Sequence, residues 1–202
     1  MPKRAYVSAV RATAAAEKRG RVLEAAAKSL REDASIASFS LDTVAKAAGV
    51  TRLTVYNQFG SRRGLLEAVF DEIARAGGLH QLAGAMAMDD PRAALERMVE
   101  IFCAFWKRDP AIGRLHEAMA TDPEFATALL ERNERRRQGL IVLIDRIAGR
   151  SATQRARQDA VDTIFALTSY PMFAMLGPGR SADDVCRLVQ TACRAALAPV
   201  TR

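Results

Sequence analysis

Apolar residues recur at three- and four-residue intervals along most of the chain, and strand-like alternation is scarce. That period is the mark of helices with one buried face, so the pattern predicts an all-α protein. The first clear stripe is Val22, Leu23, Ala26, Ala27 and Leu30, which places a helix over about 17–32. Ile36 and Phe39 are expected to anchor the connection that follows. Leu41, Val44, Ala45 and Ala48 then share one face of a short helix capped by Ser40. Gly49 can take the left-handed backbone that ends a helix. Thr51 caps a second short helix, and Val50 before it is spaced to staple onto Val55. Leu65, Leu66, Val69, Phe70 and Ile73 extend the pattern in a helix that starts at Ser61 and stops at Gly77-Gly78.

Beyond a linker over 79–89 the punctuation is clear. Asp90-Pro91, Asp109-Pro110 and Asp122-Pro123 each pair a capping side chain with a proline fit for the first helical position. Ser151 and Ser181 are two further expected caps, and Ser181 with Asp184 approximates a capping box. The expected helices are 91–107, 110–120, 123–149, 152–175 and 182–198, with Gly177-Pro178-Gly179 before the last. Pro171 falls inside the fourth of these, where it is expected to kink the helix and free a carbonyl near Leu167.

Charge changes the picture more than composition does. Half of the 202 residues are apolar, enough for a core, and the net charge is +7. Residues 1–63 hold 12 Lys/Arg against 5 Asp/Glu, whereas the remainder balances at 18 against 18. The whole excess therefore coincides with the pair of short helices, and a polyanion is expected to bind there. Residues 1–16 read as a flexible basic arm. No run of eighteen apolar residues is present, so no membrane partner is expected, and the absence of a signal core points to the cytoplasm. Cys103, Cys186 and Cys193 form no CxxC and fit a reducing compartment as small buried residues. Cys186 and Cys193, seven apart on one helix, are expected to lie too far apart for an intrachain disulfide.

The two short helices around Gly49 make a helix-turn-helix, and the second leaves Arg52, Thr54, Asn57 and Gln58 on its polar side. Residues from about Lys18 to Phe70 also resemble the N-terminal domain of TetR/AcrR-family transcriptional regulators. The resemblance rests on Arg21-Val22-Leu23-Glu24-Ala25-Ala26, on Val44-Ala45-Lys46-Ala47-Ala48-Gly49-Val50-Thr51, on Val55-Tyr56-Asn57-Gln58-Phe59 and on Ser61-Arg62-Arg63-Gly64-Leu65-Leu66. Leu53 stands where the family often has a small residue, and Gly64 is expected to weaken the start of its helix. The resemblance implies a nine-helix fold: a helix-turn-helix DNA-binding domain over 17–60 and a ligand-binding and dimerisation domain over 61–202. In it Arg52, Thr54 and Asn57 reach base edges, Leu53 touches a thymine methyl, and Lys46, Thr51, Tyr56 and Arg62 hold phosphates.

The C-terminal part carries an aromatic and sulfur cluster that includes Phe102, Phe105, Trp106, His116, Met119, Phe165, Tyr170 and Phe173. The bland reading is a packed core. The family reading is a pocket, mainly apolar, for a hydrophobic or planar aromatic effector oriented by Trp106, Tyr170 and His116. Val185, Leu188, Val189, Ala192 and Ala196, with Val161 and Ile164, are expected to form a four-helix homodimer seam. The charged run Glu131–Arg137 reads as a solvated helix face. Catalysis is not expected: His80 and His116 have no metal-binding spacing, and no phosphate loop, nucleophile elbow or cofactor motif is present. The expected function is a ligand-responsive repressor on a palindromic operator. A ligandless architectural DNA-binding protein and a ligand-dependent activator are the alternatives.

Overall fold

A computed structural model describes residues 3–32 and 35–201, with side chains from residue 13 onward. Among the described residues there are eleven α-helices, two short 3₁₀ turns and no strand. The helices are α1 (Lys3–Glu32), α2 (Leu41–Ala48), α3 (Arg52–Phe59), α4 (Arg62–Ala76), α5 (Gln81–Met86), α6 (Pro91–Arg108), α7 (Ala111–Thr121), α8 (Pro123–Ile147), α9 (Gln154–Leu167), α10 (Tyr170–Leu176) and α11 (Ala182–Leu197). They divide into two compact units, one spanning 1–73 with 110–127 and the other 74–109 with 128–202. This differs from an expected single boundary near residue 60, because α7 and the start of α8 group with the N-terminal helices.

In the first unit α1 packs on α2 and α7, and α2 on α3. Val22, Ala26 and Leu30 of α1 are buried, as are Val44 and Ala45 of α2, Val55 of α3, Leu65 and Leu66 of α4, and Leu115 of α7. The local rules act as expected here. Ser40 Oγ accepts from Thr43 N–H at 3.1 Å and Thr51 Oγ1 from Thr54 N–H at 3.1 Å. Gly49 sits at φ 64°, ψ 37° and ends α2 in the left-handed conformation. Gly64 is needed for a reason its helix propensity hides. A Cβ at this position would lie 2.0 Å from the Phe59 carbonyl oxygen, so only glycine lets α4 start this close to the end of α3.

The second unit is built on Leu95, Met98 and Phe102 of α6, Leu140, Leu143 and Ile144 of α8, Val161 and Ile164 of α9, and Val185 and Val189 of α11. Ser181 and Asp184 make the capping box on α11. The thiols of Cys103 on α6 and Cys186 on α11 face each other, so the pair brought together comes from two helices. Their interaction holds the half-exposed Cys186 thiol below its usual range, while that interaction and then burial raise Cys103; burial pushes Cys193 up to about 12.

Several local expectations are corrected. The stretch read as an arm is helical from Lys3, since its alanines favour helix without needing a buried face; residues 13–20 are all exposed. Residues 1 and 2 lie outside those described. The linker contains α5, a six-residue helix tied down by Arg97 to Gln81 Oε1 at 2.7 Å and Arg146 to Met86 O at 3.0 Å. Thr153, not Ser151, caps α9. Pro110 stands one residue ahead of α7, and Asp109 is the extended residue that closes α6.

The expected 152–175 helix is two helices. Ser169 caps α10, Pro171 occupies its first turn, and the break falls at Thr168 and Ser169. A proline that needs no N–H partner suits a helix start better than a kink. Together with α5, this split raises the expected nine helices to eleven.

Candidate nucleic-acid interface and ligand cleft

The polar side of α3 is open to solvent. Arg52 and Asn57 are exposed, Leu53 is 65% exposed and Tyr56 is 54% exposed. A leucine and a tyrosine that open on so short a helix are not explained by the core, which α3 meets through fully buried Val55. Lys46 on α2 and Thr51 at the α3 cap are exposed beside them, and Thr54 is half-buried. The hydroxyls of Thr51 and Thr54 lie 2.9 Å apart, so each is oriented by the other. Arg52 Nε is 3.4 Å from Asp42 Oδ2 on α2, a carboxylate that sequence reasoning overlooked. It holds the guanidinium over the turn in a solvated pair worth at most about 1 kcal/mol, which leaves it free to exchange for a phosphate or base. Behind the helix, Arg19 of α1 lies 4.5 Å over the Phe59 ring and steadies its C-terminal end.

Arg62 behaves differently from the other candidates. Its Nε donates to Phe39 O at 3.0 Å, Nη2 to Ile36 O at 3.2 Å and Nη1 to Asp122 Oδ2 at 3.1 Å. Asp122 uses its other oxygen to cap α8 at Phe125 N, at 3.0 Å. Arg62 is thus engaged inside the first unit, tying the start of α4 to the turn before α2 and to the α7–α8 junction. Neighbouring Arg63 makes exposed pairs with Glu67 and Glu124.

In the second unit, Trp106, Tyr170 and Phe173 line an open cleft of about 470 Å³ together with Lys107, Arg180 and the start of α11. The size suits a small organic molecule. Trp106 meets Tyr170 edge-on at 5.7 Å, stacks along Phe102 at 6.0 Å and leans on Phe105 at 4.7 Å. Its indole N–H donates to the Thr168 carbonyl at 3.1 Å, so the carbonyl freed at the helix break is one residue on from the expected Leu167. Phe102 and Phe105 are buried behind the cleft wall, and Phe165 packs on the same core. His116 and Met119 belong to α7 in the first unit.

The charged run on α8 hides a residue that sequence reasoning missed. Arg137 is a half-buried cation that lies 4.2 Å over the Phe165 ring and is paired with Glu134 and Asp162. Arg136 points inward. Its Nη1 donates to the buried Thr168 hydroxyl at 2.9 Å, and its guanidinium lies 4.1 Å over Phe165 and 5.4 Å over Phe102. Its Nε is buried without a hydrogen-bond partner. Burial, then the charge of Arg137, lower its pKa to about 10. A signal was available: position 136 is seven after Leu129 and four before Leu140, both buried, so the helical period places it on the core face.

Of the residues expected at a dimer seam, Val161, Ile164, Val185 and Val189 are at most 2% exposed and belong to the protomer's own core. Leu188 is 41% exposed, and Ala192 and Ala196 are half-buried along the same helix.

Residues 22–69 match the model for bacterial regulatory proteins of the tetR family, and residues 89–200 match a tetracyclin repressor-like C-terminal domain. The HTH-type transcriptional regulator EthR of Mycolicibacterium smegmatis is 36% identical over 103 residues, which is 50% of this chain and 48% of that protein. The chain therefore spans about half the length of that curated relative. A TetR-family transcriptional regulator from Streptomyces coelicolor has a similar fold, with TM-score 0.72 at 20% identity over 92% of this chain and 91% of that one. A Saccharomonospora viridis regulator structure in complex with choline aligns with TM-score 0.66 at 17% identity, covering 87% of this chain and 95% of that one. At such identities these two likenesses show the fold.

Proposed function

Because the chain belongs to the TetR family of bacterial regulatory proteins, we propose that it is a transcriptional repressor. It binds a palindromic DNA operator as a homodimer and is released by a small effector with an apolar or aromatic body. The observation that carries the DNA part is the solvent-facing side of α3, where Arg52, Leu53, Tyr56 and Asn57 stand out from a helix anchored by Val55. It falls in the segment that holds the entire net positive charge of the chain. Arg52, Thr54 and Asn57 read base edges and Leu53 meets a thymine methyl, while Lys46, Thr51 and Tyr56 position the phosphates. The inward bonding of Arg62 favours a role in holding α4 over one as a phosphate ligand.

One α3 makes too few contacts for useful specificity, so two copies on adjacent half-sites are required. Exposed Leu188, with Ala192 and Ala196 beside it on α11, supports a close helix-to-helix seam. The cleft under Trp106 and Tyr170 supports the effector, and the choline found in the Saccharomonospora viridis relative supports small-molecule occupancy of this fold.

The test is a binding titration on operator and random duplexes, with the operator first selected from a random pool. Asn57→Ala is expected to lose about 1–3 kcal/mol on the operator and little on the random duplex. Equal loss on both would show that Asn57 does not read sequence.

A further inference from the structure

Arg136 is a cation without a counter-ion. Among the described residues no carboxylate pairs with it, although the next residue, Arg137, has two. Its polar contact is one neutral hydroxyl, that of Thr168, and its Nε–H is buried with nothing to accept it. Two aromatic faces lie against it, and the residue as a whole is half-buried. A guanidinium partly taken out of water needs hydrogen bonds and an opposite charge to offset its lost solvation, and at the buried Nε–H that compensation is missing. A structural arginine of this kind is costly, and an apolar residue of similar length fits the same core face of α8 better.

The position of Arg136 relative to the cleft gives the missing charge a source. Trp106, in the cleft wall, donates its indole N–H to the Thr168 carbonyl, and Arg136 donates to the hydroxyl of the same threonine. Thr168 therefore links the cleft wall to the guanidinium through hydrogen bonds. It sits at the break between α9 and α10, where the helical backbone is already interrupted. The charged residues that line the cleft are Lys107 and Arg180, and no carboxylate lines it.

We propose that Arg136 is the anchor for an anionic group on the effector, most simply a carboxylate on a planar or aliphatic apolar body. The body lies against Trp106 and Tyr170; neither Thr168 nor Arg136 lines the cleft, so the carboxylate meets the Nε–H and Nη–H fork of Arg136 when the chain parts at the Thr168 break. Lys107 and Arg180 draw the anion to the mouth. This deepens the effector reading above and rests on it. It also sets the chain apart from the choline-bound relative, whose ligand carries the opposite charge.

The chain has one tryptophan, so its fluorescence reports on Trp106 alone. The experiment titrates wild type and Arg136→Met with 3-phenylpropionate and decanoate, with their neutral amides, and with 3-phenylpropylamine. Wild type is expected to bind each acid at least about tenfold tighter than its amide and to show no response to the amine. Arg136→Met is expected to lose most of that preference, keeping only the small, salt-screened part due to Lys107 and Arg180. Equal binding of acid and amide by wild type overturns the proposal, as does an acid preference that survives undiminished in Arg136→Met. Absence of quenching by both acids at millimolar concentration also overturns it. The wild-type comparison stands even where the variant does not fold. An operator titration with the same probes separates the two readings. Acid binding that depends on Arg136 but leaves operator affinity unchanged removes the effector reading and keeps the anion site. Operator release by acid and amide alike keeps the effector reading and removes the anion site.

Discussion

Gly64 shows how a single residue can carry a meaning its local propensity conceals. Glycine near the start of a helix costs stability by entropy, and on that ground it looks like a defect in α4. The Phe59 carbonyl, 2.0 Å from where a Cβ would stand, turns that defect into a requirement. Backbone cannot rotate away as a side chain can, so Gly64→Ala must move α4 against α3. The expected loss is about 2–4 kcal/mol in urea unfolding. Gly139, inside α8 with nothing within 4 Å of its Cβ position, is the control. Gly139→Ala is expected to gain up to about 1 kcal/mol through helix propensity alone. If both substitutions change stability equally, the close approach at Gly64 does not matter. Arg136 is the same lesson for charge: one residue in a run of surface charges is set apart only by helical phase.

Between elements, what the sequence states clearly is whatever depends on neighbours along the chain. The Ser40, Thr51, Asp90, Asp122 and Ser181 caps, the left-handed Gly49 and the ends of α2, α3, α4, α6 and α11 follow from side chains reaching two to four residues. What it leaves unstated depends on distant partners. The α5 helix packs on α6 through Ala85, Leu82 and Met86 and is bonded by Arg97 and Arg146, and the break at Thr168 is satisfied by Trp106 and Arg136, sixty-two and thirty-two residues away. The exposed face of α3 was legible for the first reason. The role of Arg62 was not, since three of its bonds run to Ile36, Phe39 and Asp122. Arg62→Ala removes charge-assisted bonds to two carbonyls and one carboxylate at once. It is expected to destabilise the protein by about 2–3 kcal/mol, measured by denaturant midpoint. Operator affinity at a temperature where the variant stays folded is expected to fall modestly. A large, salt-dependent loss of DNA binding with unchanged stability would restore Arg62 as a phosphate ligand.

At the scale of the whole molecule, the proposed operator binding depends on whether two copies of the chain associate. The protomer core already consumes Val161, Ile164, Val185 and Val189, so substitutions there would report on folding and not on association. Leu188 is different because it is 41% exposed on a helix whose opposite face is buried. Ala192 and Ala196, one and two turns further on, are small enough for a second helix to approach closely. Leu188→Arg is expected to leave the protomer folded, with a denaturant midpoint close to wild type, because the side chain can extend into water in the isolated chain. In a closed seam the same arginine meets its own symmetry mate, and two desolvated like charges oppose association. Light scattering at micromolar concentration is expected to give a dimer for wild type and a monomer for Leu188→Arg. Operator affinity of the variant is expected to fall to the level of random DNA, since each half-site is then bound alone. A Leu188→Arg protein that remains dimeric would place the seam elsewhere. A monomeric wild type that still binds the full operator tightly would remove the homodimer from the proposed function.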